Sequence, residues 1–139
     1  MAQGKVIPFA GPAATQSEDP KMPKGRRKTV VQLGRDPYLL GLRARVISSV
    51  GFDVASDAPE NLHVQLADSQ SAKIWIFCHS LEFHEFLALA AAVRRERPTD
   101  KLLRLNGLDE GTAPDHLVDH CLEPPTTVDD LLRAVTSFD

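Results

Sequence analysis

Cysteine and the larger aromatics are scarce in this chain, which has two cysteines, one tryptophan and one tyrosine. Cys78 and Cys121 form no CxxC pair. Neither a disulfide framework nor a paired-cysteine metal site is expected, which fits a reducing compartment. No apolar run reaches the roughly 18 residues that a membrane helix needs. The opening stretch, MAQGKVIPFAGPAATQ, has no apolar segment of signal-peptide length. The expected location is therefore the cytoplasm, with no membrane partner. What is present is enough for a core: 42% of the 139 residues are hydrophobic and 25% charged, which suits one domain and a tail.

Charge is unevenly spread. Residues 1–28 carry Lys5, Lys21, Lys24, Arg26, Arg27 and Lys28 against Glu18 and Asp19, a net of +4. The whole chain is −3, which leaves −7 on residues 29–139. An acidic body repels nucleic acid, so only the tail is suited to touch it, and nucleic acid is not the expected partner. The run Lys24-Gly25-Arg26-Arg27-Lys28 lacks interleaved aromatics and a recognition helix. It reads as a solubilising linker more readily than as a phosphate-backbone contact. Residues 1–28 are rich in Pro, Gly, Ala and charge, and are expected to be disordered. Val6-Ile7-Pro8-Phe9 is an apolar patch within them, either a docking peptide or an incidental one.

From Thr29 onward, short β-type runs alternate with helical patterns. Thr29–Leu33 reads as a strand, broken by Gly34. Asp36 is placed to cap a helix with Pro37 at its first position. That helix should run to about Val50, with Leu39, Leu42, Val46, Ile47 and Val50 on one face, and end at Gly51. Phe52–Ala55 reads as a second strand, and residues 58–69 as a weaker helix with Leu62 and Leu66 as its apolar positions. Lys73–Phe77 is a continuous apolar run, as a strand covered on both faces should be. Residues 82–96 form a strong helix rich in Ala and Leu, stopped by Pro98 and the polar pair Thr99-Asp100. Its Ala88–Ala92 stretch should pack on the sheet. Leu102–Leu105 and Leu117–Cys121 read as the fourth and fifth strands, and a last helix follows Pro124–Thr127 with Leu131, Leu132, Val135 and Phe138 apolar. Strands alternating with helices imply right-handed crossovers and a parallel sheet. The expected architecture is an α/β three-layer sandwich of flavodoxin-like type, its five parallel strands in the order 2-1-3-4-5. Only Asn106 to His116, with two glycines and a proline, separates the last two strands. A fourth helix there is expected to be short or missing.

Over residues 29–139 the order of these pieces resembles a response-regulator receiver domain. Such receivers open with a strand ending in Asp-Asp-x-Pro, where this chain has Leu33-Gly34-Arg35-Asp36-Pro37. Their Gly-(Tyr/Phe)-x-Val is matched by Gly51-Phe52-Asp53-Val54. Their third strand ends in the phosphoacceptor Asp, where this chain has Phe77-Cys78-His79-Ser80. Their Asp-(Tyr/His)-x-x-Lys-Pro corresponds to Asp119-His120-Cys121-Leu122-Glu123-Pro124, followed by Asp130-Leu131-Leu132. The resemblance implies an acid pair that binds Mg²⁺, an acceptor Asp, a Thr or Ser and a Lys. Gly34 and Arg35 stand at the acid pair, Cys78 at the acceptor, Asn106 at the Thr/Ser position and Glu123 at the Lys. Asp36 keeps one acid nearby. Mg²⁺ needs carboxylate oxygens, Arg35 repels it, and Glu123 repels a phosphoryl group. The chain thus resembles a degenerate, pseudo-receiver member. It is not expected to be phosphorylated by the usual Asp route, nor to be an enzyme or to carry a cofactor. The reversed signs suggest an Arg35–Glu123 ion pair.

Other constellations are weaker. Cys78-His79 invites a nucleophile reading, but adjacent strand residues point to opposite faces. Glu123 nearby should also raise the thiol pKa. His116-x3-His120 suits zinc only on a helix, and no second ligand pair supports it, so no metal is expected. No effector segment follows Asp139, so output is expected through an interface with an unidentified signalling protein, in phosphorelay-type signal transduction. The first and last helices are the expected contact surface, and a homodimer is one form it could take. A different class of function is a thiol-based redox or small-ligand sensor built on Cys78 in the former phosphorylation pocket.

Overall fold

A computed structural model describes residues 28–68, 72–108, 110, 113–114 and 116–138. The expected tail and its Val6–Phe9 patch lie outside the described residues, apart from Lys28. Five strands form one parallel sheet in the order β2-β1-β3-β4-β5. They are β1 (Thr29–Leu33), β2 (Asp53–Asp57), β3 (Lys73–Phe77), β4 (Lys101–Leu105) and β5 (His120–Leu122). The helices are α1 (Pro37–Ser48), α2 (Leu62–Ala67), α3 (Phe83–Glu96) and α4 (Val128–Ser137). The expected fold class and strand order are therefore the observed ones, and among the described residues no helix lies between β4 and β5.

Local chemistry explains most boundaries. The Asp36 carboxylate accepts from the backbone N–H groups of Tyr38 and Leu39 at 3.1 and 3.2 Å, and Pro37 fills the first helical position. Gly51, at φ +104°, takes the left-handed turn after α1. The Thr127 hydroxyl caps α4 by accepting from Asp130 N–H at 3.0 Å.

Alternate side chains of the sheet enter two cores. Val30, Ile74, Ile76, Leu103 and Leu105 pack with Leu40 and Ile47 of α1 and Leu131 and Val135 of α4. Val31, Leu33, Trp75, Phe77 and Leu102 pack with Phe86, Ala90 and Val93 of α3, where Leu62 and Leu66 of α2 also lie. β3 is buried throughout, as its apolar run implied.

Several boundaries move, three of them for a clear physical reason. β2 begins one residue late, because Phe52 is buried in the α1–α4 core while Thr29 to Leu33 pair with Asp53 to Asp57. The second helix is a 3₁₀ turn, Pro59–Asn61, followed by only six residues of α2. β5 starts at His120 rather than Leu117. The Asp119 carboxylate accepts from Leu102 N–H at 2.8 Å, and Arg94 donates to Leu117 O at 3.0 Å, so residues 117–119 form a pinned turn. The apolar face of α1 is also split. Ile47 and Leu40 are buried, whereas Leu42 and Val50 are exposed.

One buried polar cluster holds the end of the sheet opposite the site. The Asp100 carboxylate accepts from Trp75 Nε1 at 2.9 Å, Lys73 N–H at 3.2 Å and Arg97 Nε at 2.7 Å. Asp100→Ala would strand at least two of these donors, at roughly 1–3 kcal/mol each. A loss of about 2–4 kcal/mol in urea unfolding, followed by Trp75 fluorescence, is expected with an unchanged denaturant slope.

Candidate functional site

The carboxyl ends of β1, β3, β4 and β5 meet where a parallel α/β sheet places its ligands. All six sequence-identified positions lie around this end, but they do not form one charged pocket.

Gly34 follows β1 and donates to Asp57 O at 3.2 Å. A Cβ at this position would lie 3.0 Å from both Cys78 Cβ and Ser80 Oγ, and 3.3 Å from Leu40. A side chain there would press on Cys78, Ser80 and Leu40, each of which would have to give by a few tenths of an ångström. Arg35 donates from its backbone to Ser80 Oγ at 2.8 Å. Its guanidinium binds Glu60 at 2.9 Å and Glu85 through two bonds. These bonds, Glu85 first and Glu60 second, keep the guanidinium charged, and the bond to Arg35 lowers the Glu60 carboxyl below its usual range. Asp36 is spent on the α1 cap.

The expected Arg35–Glu123 pair does not form. Arg35 turns towards the residues after β2 and at the start of α3, whereas Glu123 follows β5 on the far side. There Glu123 accepts from Asn106 Nδ2 at 2.9 Å, and Asn106 N–H donates to Leu122 O at 2.9 Å.

Cys78 is 1% exposed. Burial pushes its thiol up to about 11, against a smaller opposing pull from Arg43 and Arg104. The expectation of a raised thiol pKa holds, but its cause is burial rather than Glu123. Cys121 is half-buried and is also raised, by burial and then by Glu123. His79 is exposed and accepts at Nδ1 from Arg43 Nη2 at 3.3 Å. Its pKa is lowered by partial burial, then by Arg43 and Arg104, so it is neutral.

Sequence reading missed Arg104, which organises this end. It lies on the α3 face of β4 and is 0% exposed. Nη1 donates to Cys78 O at 2.8 Å and Nη2 to Leu81 O at 3.0 Å. Nε donates to Glu110 Oε2 at 2.9 Å and Nη2 to Glu110 Oε1 at 2.5 Å. The guanidinium carbon sits 4.4 Å from the Phe86 ring centre. A bidentate carboxylate, two carbonyls and an aromatic face satisfy this buried charge. The signal was a lone charge inside the apolar run Leu102-Leu103-Arg104-Leu105. Its partner could not be read, because Glu110 reaches it through loop geometry rather than a periodic spacing. Among the described residues no group of His, Cys, Asp and Glu is arranged to hold a metal.

Beside this clamp lies a cleft of about 370 Å³ lined by Arg43, His79, Asn106, Leu108, Pro124 and Pro125, among others. A second cleft of about 210 Å³ runs between α1 and α4, with Leu39, Leu42, Val46 and Val128 on its walls.

Solved structures share the fold of this chain, among them the following three. The signal receiver domain of an HD domain-containing protein from Pseudomonas fluorescens Pf-5 matches with a TM-score of 0.69 at 16% identity, over 81% of this chain and 94% of that one. A CheY-like response regulator receiver domain from Methylobacillus flagellatus matches at 0.67 and 18%, over 81% and 99%. A response regulator from Thermotoga maritima matches at 0.65 and 18%, over 80% and 96%. No protein-family model matches the chain, and no curated protein matches it. The chain has the fold of response-regulator receiver domains.

Truncating Arg104 leaves Glu110 buried without its cation. Arg104→Ala is expected to destabilise by about 3–5 kcal/mol, and Arg104→Met with Glu110→Leu by clearly less, because it removes both charges. Chemical denaturation of the three proteins measures this. The folded Cys78 thiol titrates above its ordinary value of 9.0, at about 11. Burial thus favours the neutral thiol, and that stabilisation is complete below the unfolded pKa and lost as pH rises through the folded one. Stability should fall between about pH 9 and pH 11 in wild type and fall less in Cys78→Ala, as followed by unfolding at each pH.

Proposed function

We propose that this receiver-fold chain is a pseudo-receiver that acts in signal transduction by protein contact, without Asp phosphorylation. The observation that carries this reading is the internal use of every former switch position. Gly34 is closed against Cys78 and Ser80. Arg35 is held by Glu60 and Glu85. Asn106 and Glu123 hold each other. An acyl phosphate needs a carboxylate acceptor, and the acceptor position carries a buried thiol. Mg²⁺ needs a set of carboxylate oxygens, and Gly34 and Arg35 supply none. The domain thus keeps the shape of a switch with its moving parts tied down.

The groove between α1 and α4 is the contact surface this reading favours. Leu42 and Val128 are exposed at 36% and 55%, and Leu39 and Val46 complete an apolar wall. Apolar residues at the rim of a surface groove suit the buried centre of a protein interface. A sensor built on Cys78 gains no support from the site, because a buried neutral thiol is a poor nucleophile.

Incubation with Mg²⁺ and acetyl phosphate, then intact mass, should show no added phosphoryl group. A stable adduct on this domain would overturn the reading. In lysate of the native host, wild type should capture a partner that Leu42→Glu with Val128→Glu loses. Acetyl phosphate should leave the capture unchanged.

A further inference from the structure

Arg43 has no carboxylate partner among the described residues. It lies half-buried on α1, within a body of net charge −7 over residues 29–139. Among the described residues it forms no ion pair, although Arg35, Arg94, Arg97, Arg104 and Arg133 each do. Its partners are the Cys78 thiol and the His79 ring. An arginine has only donors to offer, so His79 Nδ1 must accept, which leaves the proton on Nε2. That second donor has no partner among the described residues. Asn106 also lines this cleft, its Nδ2 committed to Glu123.

Arg43, with no carboxylate partner among the described residues, and the unbonded Nε2–H of His79 line one cleft of about 370 Å³, inside the roughly 300–1,000 Å³ range of small-molecule pockets. The other walls are Leu108, Pro124 and Pro125, which favour an apolar body. Glu123, bonded to Asn106 and next to Pro124, sets a negative charge near the far side. A dianion such as phosphate would meet that charge, whereas a monoanion directed at Arg43 would avoid it.

We propose that this cleft binds a small organic carboxylate, its anionic group held by Arg43 and His79 and its apolar body against Leu108, Pro124 and Pro125. The binding is non-covalent and uses neither a metal nor the Cys78 sulfur. It is independent of the protein-contact reading, so either can fail alone.

The test is a titration of the full chain with benzoate, and separately with inorganic phosphate, at constant ionic strength. The histidine ring resonances are followed by NMR, with His79 assigned from His79→Gln. Benzoate should shift the His79 signals saturably and bind more tightly than phosphate. Arg43→Gln should weaken benzoate binding by roughly tenfold or more, since a charge-assisted bond is lost. Arg43→Lys keeps the charge without the planar fork and should weaken it less, and it serves if the glutamine variant does not fold. Absence of a saturable shift would overturn the proposal. So would phosphate binding at least as tightly as benzoate, or undiminished benzoate binding in a folded Arg43 variant.

Discussion

A guanidinium buried in the middle of a sheet must be satisfied from all sides, and Arg104 is satisfied only in one arrangement of its surroundings. Its bonds to Cys78 O and Leu81 O fix the turn after β3. Its fork to Glu110 draws the segment after β4 back over the sheet. Ala113 and Val118 then complete the core on that face, where the layout would otherwise place a fourth helix. Removing one member leaves a buried charge without a partner, the costly way to break such a pair. Such a pair need add little over apolar side chains filling the same volume.

That loop path decides what the carboxyl end of the sheet can do. Ser80 Oγ reaches Arg35 N–H, and a Cβ on Gly34 would lie 3.0 Å from Cys78 Cβ, which would have to give by a few tenths of an ångström. The charged groups that remain are divided between two sides. Arg35 serves Glu60 and Glu85, while Asn106 serves Glu123. A switch needs groups that can exchange partners when a phosphoryl group arrives. Here Arg35, Asn106 and Glu123 have settled partners, while Arg43 and His79, bonded to each other, lie on the α1 side of the end.

Much of this was legible in the chain. The alternation of apolar runs with helical patterns, the Asp36-Pro37 start and Gly51 end of α1, and the short stretch between the last two strands all act over a few residues. The strand order followed from them, because right-handed crossovers leave few topologies. The gathering of Gly34, Arg35, Cys78, Asn106 and Glu123 at one end of the sheet was legible too, since each follows or ends a strand. The extent of α2 and the start of β5 were not. The start of β5 depends on a side chain from α3 meeting the turn before it, as Arg94 does with Leu117 and Asp119.

Sequence alone therefore determined the parallel α/β sheet and its strand order, because periodicity, capping and residue type are local. Tertiary structure alone decided the partners: Arg35 with Glu60 and Glu85 rather than Glu123, Arg104 with Glu110, and Arg43 with His79. Long side chains span several ångströms and can choose among many opposite charges. Which of them meets which is set by the packing of elements far apart in sequence, and a single sequence carries no record of that distance.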